Sequence, residues 1–400
     1  MSRPPSPTRD RLSARAAVRL TLLVALVLTA CTTAPPLPRV TAELPLASAV
    51  GMAADEAMQH MVRQQGLDLA RLLNRPTRIY LAPVLQSESR QQTVTTVRVR
   101  ELIAVHLKSQ HRGLELVPYT EAAAAGSEVR LDSTLTAVTL PDGRRSADRM
   151  LLALRLVSLK DGRTLASSQA AVSDPALDGT PMAFYRESPF SLPPPQAQEV
   201  ERALTERERT VPIARLDEAG SAYDTGRFDR ALELYRSAAT LPGADTLQAL
   251  IGRYLASVRS GKDDESREAF ARIVTLGLGT RSMGVKLLFA PGRTDYIDDP
   301  AISRPYPDWL REIAKQAGES TTCLQVVGHS SRTGTEDFNV ALSAQRAEAV
   351  RQQLEAANPA LVRRIEASGV GWRENLVGTG SDDLKDAVDR RVEFKVTDCR

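Results

Sequence analysis

One stretch near the C-terminal end constrains the fold of this chain more than any other. Apolar residues at 324, 326 and 327 predict a buried strand that ends at Gly328-His329. A polar loop follows, and beyond it apolar residues recur at helical spacing on one face. These are Leu342, Ala347, Val350 and Leu354. The stretch therefore predicts a strand, a loop and a helix in succession, with polar side chains where the strand ends.

The same stretch resembles the signature of the OmpA-like peptidoglycan-associating domain. The positions that fit the family pattern at the right spacing are Gly328, His329, Gly334, Asn339, Leu342, Ser343, Arg346 and Ala347. A second family motif, close to the end of the chain, is matched by residues 389–394. The resemblance covers residues 283–400. It implies an α/β sandwich in which helices cover one face of a mixed sheet.

The resemblance also implies which residues bind a ligand. Family members bind the peptide stem of peptidoglycan, where an Asp holds the ammonium group of diaminopimelate and an Arg takes its carboxylate. Arg346 matches the Arg, but Ser331 stands where the family has the Asp. Asn339 and Arg390 would line the same pocket.

The replacement of the acid by Ser331 leaves three hypotheses open. The first is weaker peptidoglycan binding, because loss of the ion pair costs about 1–2 kcal/mol, or roughly ten- to thirtyfold in affinity. The second is a site for another anionic group, in which Arg332 acts with Arg346. The third is an assembly module without a ligand. Glu336 and Asp337 lie in the same loop, but their spacing does not favour them as substitutes for the missing acid.

The N-terminal segment has the pattern of a signal peptide. An Arg-rich stretch precedes the apolar run Leu20–Ala30, which is too short for a bilayer because a spanning helix needs about 20 residues. The sequence Leu-Thr-Ala-Cys, which ends at Cys31, resembles the bacterial lipobox. This resemblance implies removal of residues 1–30 and a lipid on Cys31. Thr32, in place of Asp, favours the outer membrane, facing the periplasm, and residues 31–45 would form a flexible tether.

Without residues 1–30 the chain is nearly neutral. The full chain has 52 Lys and Arg against 49 Asp and Glu, and the first 30 residues hold five Arg and one Asp. The remaining 47 basic and 48 acidic residues give no reason to expect nucleic-acid binding.

Two cysteines besides Cys31 are predicted to form a disulfide. Cys323 opens the strand that leads to Gly328, and Cys399 follows the last predicted strand, 391–397. If these strands pair antiparallel, the start of one meets the end of the other, so the two sulfurs approach. The periplasm permits such a bond, which would stabilise the fold by up to about 4 kcal/mol.

Residues 46–195 are predicted to form a small α/β domain. The apolar pattern indicates helices at 52–73 and 95–110 and strands at 77–84, 114–117, 128–138, 150–157 and 164–172. Asp142-Gly143 and Asp161-Gly162 predict hairpin turns. The pattern is similar to small periplasmic lipoprotein domains related to curli-secretion and flagellar outer-membrane lipoproteins. The Pro-rich segment 188–195 is predicted to be a stiff connector.

Neither a metal site nor a catalytic site is predicted. His60, His106 and His111 are scattered, and no carboxylate or cysteine joins them at the spacing of metal ligands. His106 is therefore expected to be a packed or surface histidine. His329 and the two serines after it do not predict hydrolysis, because adjacent side chains at a strand end point in different directions.

Residues 200–278 are predicted to form an array of helices. Tyr223, Gly226, Phe228, Ala231, Tyr235 and Ala238 match the pattern of a tetratricopeptide repeat, and Tyr254, Gly261 and Phe270 form a weaker second copy. Tyr235 and Phe270 should fill the space between repeats. The alternative is an unrelated pair of helical hairpins. Two repeats are too few for a core of their own, so they should pack on residues 199–209 or on a neighbouring domain.

Together these patterns predict a multidomain α+β protein, consisting of an α/β domain, a central helical region and an OmpA-like domain. We expect an outer-membrane lipoprotein that acts as a periplasmic tether or scaffold, without enzymatic activity and without a cofactor. Its partners would be the peptidoglycan stem peptide, the outer membrane through its lipid, and a protein bound by the helical repeats. The alternative is an assembly component of an envelope secretion or appendage complex, with an OmpA-like domain that no longer binds peptidoglycan.

Overall fold

The computed structural model describes residues 42–65, 76–190, 204–242, 246–281 and 283–399. These residues belong to one compact unit, Val40–Arg400. The predicted signal peptide, Cys31 and most of the tether lie outside the described residues. Across the part of the chain that is described, no helix is both long and apolar enough to cross a membrane.

The first region is a mixed sheet with helices packed against it. Its elements are β1 (Glu43–Leu44), α1 (Leu46–Gln65), β2 (Thr77–Leu81), β3 (Leu85–Gln86), α2 (Val94–Gln110), β4 (Leu114–Leu116), α3 (Glu121–Ala125), β5 (Val129–Thr139), β6 (Arg145–Ser158) and β7 (Thr164–Ser173). The strand order is β1-β7-β6-β5-β2-β4, with β3 beside β5. Strands β5, β6 and β7 are antiparallel neighbours, while the other pairs are parallel. The predicted hairpin turns are confirmed, with positive φ at Gly143 and Gly162.

Helix α1 begins at Leu46, earlier than the predicted start at residue 52. Its first turns are rich in small apolar residues, and Ala49, Ala53 and Ala57 are fully buried. Small side chains let a helix approach a sheet closely. The predicted start rested on large apolar residues, which do not indicate this kind of packing. The predicted end of this helix lies outside the described residues. Helix α3 was not predicted at all.

Four longer helices form the central region, preceded by a short one. These are α4 (Ala183–Glu187), α5 (Glu206–Asp224), α6 (Phe228–Ala238), α7 (Thr246–Arg259) and α8 (Asp263–Gly279). Tyr235 of α6 is fully buried against α7, where a Cβ atom on Gly252 would lie 2.2 Å from its ring. Phe270 of α8 instead stacks on Trp309 of the next region, with ring centroids 5.3 Å apart. The expected packing of these helices on a neighbouring region is therefore present.

The last region is a four-stranded mixed sheet with two long helices. Its elements are β8 (Lys286–Leu288), α9 (Pro300–Ser303), α10 (Tyr306–Glu319), β9 (Thr322–Gly328), α11 (Glu336–Ala357), β10 (Ile365–Gly369) and β11 (Arg391–Asp398). The strand order is β10-β9-β11-β8. Strand β10 is parallel to β9, and β11 is antiparallel to both β9 and β8. Because Thr397 pairs with Cys323, residue 399 reaches the start of β9, and the predicted Cys323–Cys399 disulfide is present.

The apolar core continues from the central helices into the last sheet. One cluster of buried side chains includes Phe184 and Tyr235 of the central helices together with Trp309 and Val392 of the last region. Phe190, in the segment predicted as a connector, is buried and bridges to Val285. The start of that segment is therefore part of the core, because its aromatic residue has an apolar surface to cover.

Candidate functional site

The signature loop is fixed by close packing of α11 against the end of β9. A Cβ atom on Gly328 would lie 1.9 Å from the carbonyl oxygen of Ser343, so only glycine fits there. Ser330 donates its backbone N–H to the carbonyl of Gly371, 3.0 Å away. Residues 330 and 331 are thus held against the loop that joins β10 to β11.

A carboxylate from that loop lies directly on Ser331. The Ser331 hydroxyl donates to Oδ1 of Asp382, and the Thr333 hydroxyl donates to Oδ2 at 2.7 Å. Nη1 of Arg390 lies 3.2 Å from Oδ1 of the same carboxylate. Ser331 and Arg390 are buried, whereas the Asp382 side chain is 29% exposed. An acidic group therefore lies beside residue 331, the position at which the family pattern has its Asp.

Asp382 is ionised at neutral pH. Partial burial opposes ionisation, but the hydrogen bonds from Ser331 and Thr333 and the charge of Arg390 lower the pKa of Asp382 below its usual value. The carboxylate keeps an exposed side, so a positively charged group from solvent could reach it.

Two buried carboxylates hold the loop that carries Asp382. Asp389 accepts backbone N–H groups from Leu376 and Gly378, each at 2.6 Å, and from Val377 at 3.0 Å. Asp386 accepts the N–H of Ser381 at 2.8 Å. Asp382 itself has φ of 57°, a conformation that Asp tolerates better than most residues. The loop is therefore anchored on both sides of the acid.

The sequence did not indicate Asp382 as a site residue, because Asp382 lies 51 residues from Ser331. Glu336 and Asp337 were the nearby acids in the sequence, and their spacing did not favour them as substitutes. Both lie exposed on the first turn of α11, where Glu336 pairs with Arg373 at 2.7 Å. The available signal was the acidic, glycine-containing stretch 378–383, just before the closing motif.

Arg346 lies in the same pocket but is closed off from solvent. Its Nε, Nη1 and Nη2 atoms donate to the carbonyls of Arg293, His329 and Ala290 at 2.8, 3.1 and 2.8 Å. The side chain is fully buried. Burial, with Arg390 nearby, lowers the pKa of Arg346 to about 10. A ligand carboxylate could reach this guanidinium only if the turn at residues 290–293 moved.

The other predicted site residues have structural contacts. The Asn339 amide donates to the carbonyls of Thr333 and Thr335 at 2.6 and 2.9 Å, so it shapes the loop. Arg332 points away and donates to the carbonyls of Asp142 and Gly143 in the β5–β6 hairpin. The arrangement thus offers a carboxylate for a cation, whereas Arg346 is buried and Arg332 is engaged by the β5–β6 hairpin.

His329 and Ser330 do not form an accessible nucleophile. Both are buried, and Nε2 of His329 lies 3.3 Å from Oε1 of Glu393 on the neighbouring strand. Glu393 also pairs with Nε of Arg391 at 2.8 Å. Burial lowers the pKa of His329 below its usual value, so this side chain is packed beside the Arg391–Glu393 ion pair as a buried, neutral imidazole.

Most of the last region matches a known family. The OmpA family model matches residues 296–388. This part of the chain is an OmpA-family domain. A peptidoglycan-associated lipoprotein of Pseudomonas aeruginosa is 39% identical over 94 residues, which are 22% of this chain and 54% of that protein. The chain therefore spans about half the length of the curated relative that it matches.

Two solved structures are also similar to part of the chain. The peptidoglycan-associated lipoprotein from Burkholderia pseudomallei is 25% identical, with a TM-score of 0.24, and the match covers 28% of this chain and 89% of that one. The cell wall anchor of the T6SS from Pseudomonas aeruginosa is 24% identical, with a TM-score of 0.24, over 33% of this chain and 97% of that one.

Proposed function

We propose that the OmpA-family domain binds the peptide stem of peptidoglycan and that Asp382 holds the ammonium group of the ligand. The observation that carries the proposal is the ionised, partly exposed carboxylate of Asp382 against Ser331. The sequence predicted a weakened site because Ser331 has no charge. We propose instead that the ionic partner is retained, since it comes from another loop. The name of the matched relative supports this ligand class.

The protein would act as a non-enzymatic tether or scaffold of the cell envelope. A lipid on Cys31 would anchor it in the outer membrane, so that the body faces the periplasm. The Cys323–Cys399 disulfide supports an oxidising compartment. Helices α5–α8, proposed to be tetratricopeptide-like repeats, would recruit a protein partner.

A second candidate function is an assembly component of an envelope complex, with an OmpA-family domain that binds no peptidoglycan. The closed state of Arg346 favours this candidate, because all three of its nitrogens already donate to backbone carbonyls. The turn 290–293 would have to open before a ligand carboxylate could bind.

Sedimentation with purified sacculi and binding of a diaminopimelate-containing stem peptide test the proposal. The protein would be the chain from Thr32 onward, so that no lipid is attached. We expect Asp382→Asn to weaken stem-peptide binding by about ten- to thirtyfold, because the ion pair becomes a neutral contact. Asp383→Asn is the matched control, since that neighbouring carboxylate contacts only Ser381 and Lys385 among the described hydrogen bonds.

The two possible failures are distinct. Absence of binding by the unaltered chain would favour the assembly component. Binding that Asp382→Asn leaves unchanged would retain the ligand but refute the role of Asp382. Arg346→Ala would not separate these outcomes, because it also removes the charged donor of three backbone carbonyls.

A further inference from the structure

Three polar side chains meet on the outer side of the first region, far from the OmpA-family domain in sequence. Asp55 lies in the middle of α1, His106 in the last turn of α2, and His111 just beyond the end of α2. Oδ1 of Asp55 lies 2.7 Å from Nε2 of His106 and 2.9 Å from Nε2 of His111. One ligand atom from each residue falls within 4.8 Å of the other two. The sequence predicted no carboxylate ligand near these histidines. The structure brings one to them from another helix, that of Asp55.

The local packing favours this meeting of side chains. Gly51, one helical turn before Asp55, leaves room for the imidazole of His106, since a Cβ atom there would lie 3.2 Å from Cε1. A capping box between Thr93 and Thr96 fixes the start of α2 and therefore the direction of its last turn.

We propose that Asp55, His106 and His111 bind one zinc ion. Two imidazole nitrogens and one carboxylate oxygen are a ligand set that zinc accepts, with water in the fourth position. In the structure both imidazoles direct Nε2 at a single carboxylate oxygen, so the three ligand atoms already face one another.

Zinc would require small changes in the two contacts of Asp55. Bonds of about 2.0–2.2 Å in tetrahedral geometry separate ligand atoms by roughly 3.3 Å, so the two observed distances would open by about half an ångström. The two Nε2 atoms, which lie within 4.8 Å of each other, would close to a similar separation. The side chains are 24% exposed for each histidine and 44% exposed for Asp55, so they can rotate without moving the core. The bound ion would join α1 to α2.

Zinc binding to the chain from Thr32 onward, produced without a polyhistidine tag, tests this inference by equilibrium dialysis and calorimetry. We expect one zinc ion per chain. His106→Ala, His111→Ala and Asp55→Asn should each weaken binding more than tenfold. The control is His60→Ala in the same region, where Nε2 lies 4.0 Å from a single carboxylate, that of Glu56. This variant should bind zinc as the unaltered chain does.

Circular dichroism distinguishes a variant that fails to fold from one that has only lost a zinc-binding side chain. Each variant should retain the far-ultraviolet spectrum of the unaltered chain, and zinc should raise the melting temperature only where all three ligands are present. The inference is overturned if the unaltered chain binds no zinc, or if the Asp55, His106 and His111 variants bind it as tightly as the His60 variant does.

Discussion

Ser331→Asp restores the acid of the family pattern, and we expect it to destabilise this protein. The Ser331 hydroxyl is in hydrogen-bond contact with Asp382, so the new carboxylate would lie within about 4 Å of an existing one. Two like charges at about 4 Å repel by roughly 4 kcal/mol at an effective dielectric constant of about 20. Arg390 attracts both carboxylates, and Asp382 can rotate toward solvent. The expected net loss in the free energy of unfolding at pH 7.5 is therefore about 1–2 kcal/mol.

Urea unfolding followed by tryptophan fluorescence measures this loss, because both tryptophans, Trp309 and Trp372, belong to the last region. The double variant Ser331→Asp with Asp382→Ser exchanges the two side chains and should recover most of the stability. Asp382→Ser alone completes a double-mutant cycle. The loss in the free energy of unfolding should also shrink toward pH 4, where the two neighbouring carboxylates take up a proton. A Ser331→Asp variant as stable as the unaltered chain at pH 7.5, with no coupling in the cycle, would refute the contact between the two positions.

Two further predictions concern buried charges. Arg346→Ala should lower the free energy of unfolding by about 3 kcal/mol, because three backbone carbonyls lose a charged donor. Urea unfolding measures this loss. A loss below about 1 kcal/mol, the contribution of one ordinary hydrogen bond, would contradict the contacts described. In the helical region, hydrogen bonds from Arg236 and Arg253 lower the pKa of Glu265 to about 2. Glu265→Gln should therefore cost about 1–2 kcal/mol at pH 7, and the difference should vanish as the pH falls from about 4.5 toward 2; a difference independent of pH would argue against this ion pair.

Local patterns were enough to predict most of the secondary structure. Helix α2, strands β5 and β7 and the hairpin turns at Gly143 and Gly162 follow from apolar spacing and turn chemistry. The pairing of Cys323 with Cys399 followed from the expected antiparallel strands. The early start of α1 and the short helix α3 were missed, because alanines such as Ala49 and Ala124 are among their buried residues. Alanine carries little hydrophobic signal although it packs closely.

The candidate site was predictable only in part. The signature motif predicted the strand that ends at Gly328 and the helix that follows it, and both are present as β9 and α11. It also drew attention to Ser331 and Arg346, whose role in binding stays a prediction. It could not show that Arg346 is covered by the turn at 290–293, because that contact depends on how a neighbouring loop closes. It could not show that Asn339 shapes the loop.

By itself the sequence determined the OmpA-family domain and the absence of an acid at position 331, because these depend on residue identity and short-range spacing. The disulfide, which joins residues 76 apart, followed from the expected pairing of two strands. Only the tertiary structure placed another carboxylate, that of Asp382, beside position 331. Asp382 meets Ser331 across 51 residues, and Asp55 meets His106 across 51 residues as well. Such contacts are set by loops and helices that pack from opposite parts of the chain, and spacing along the sequence carries no record of them.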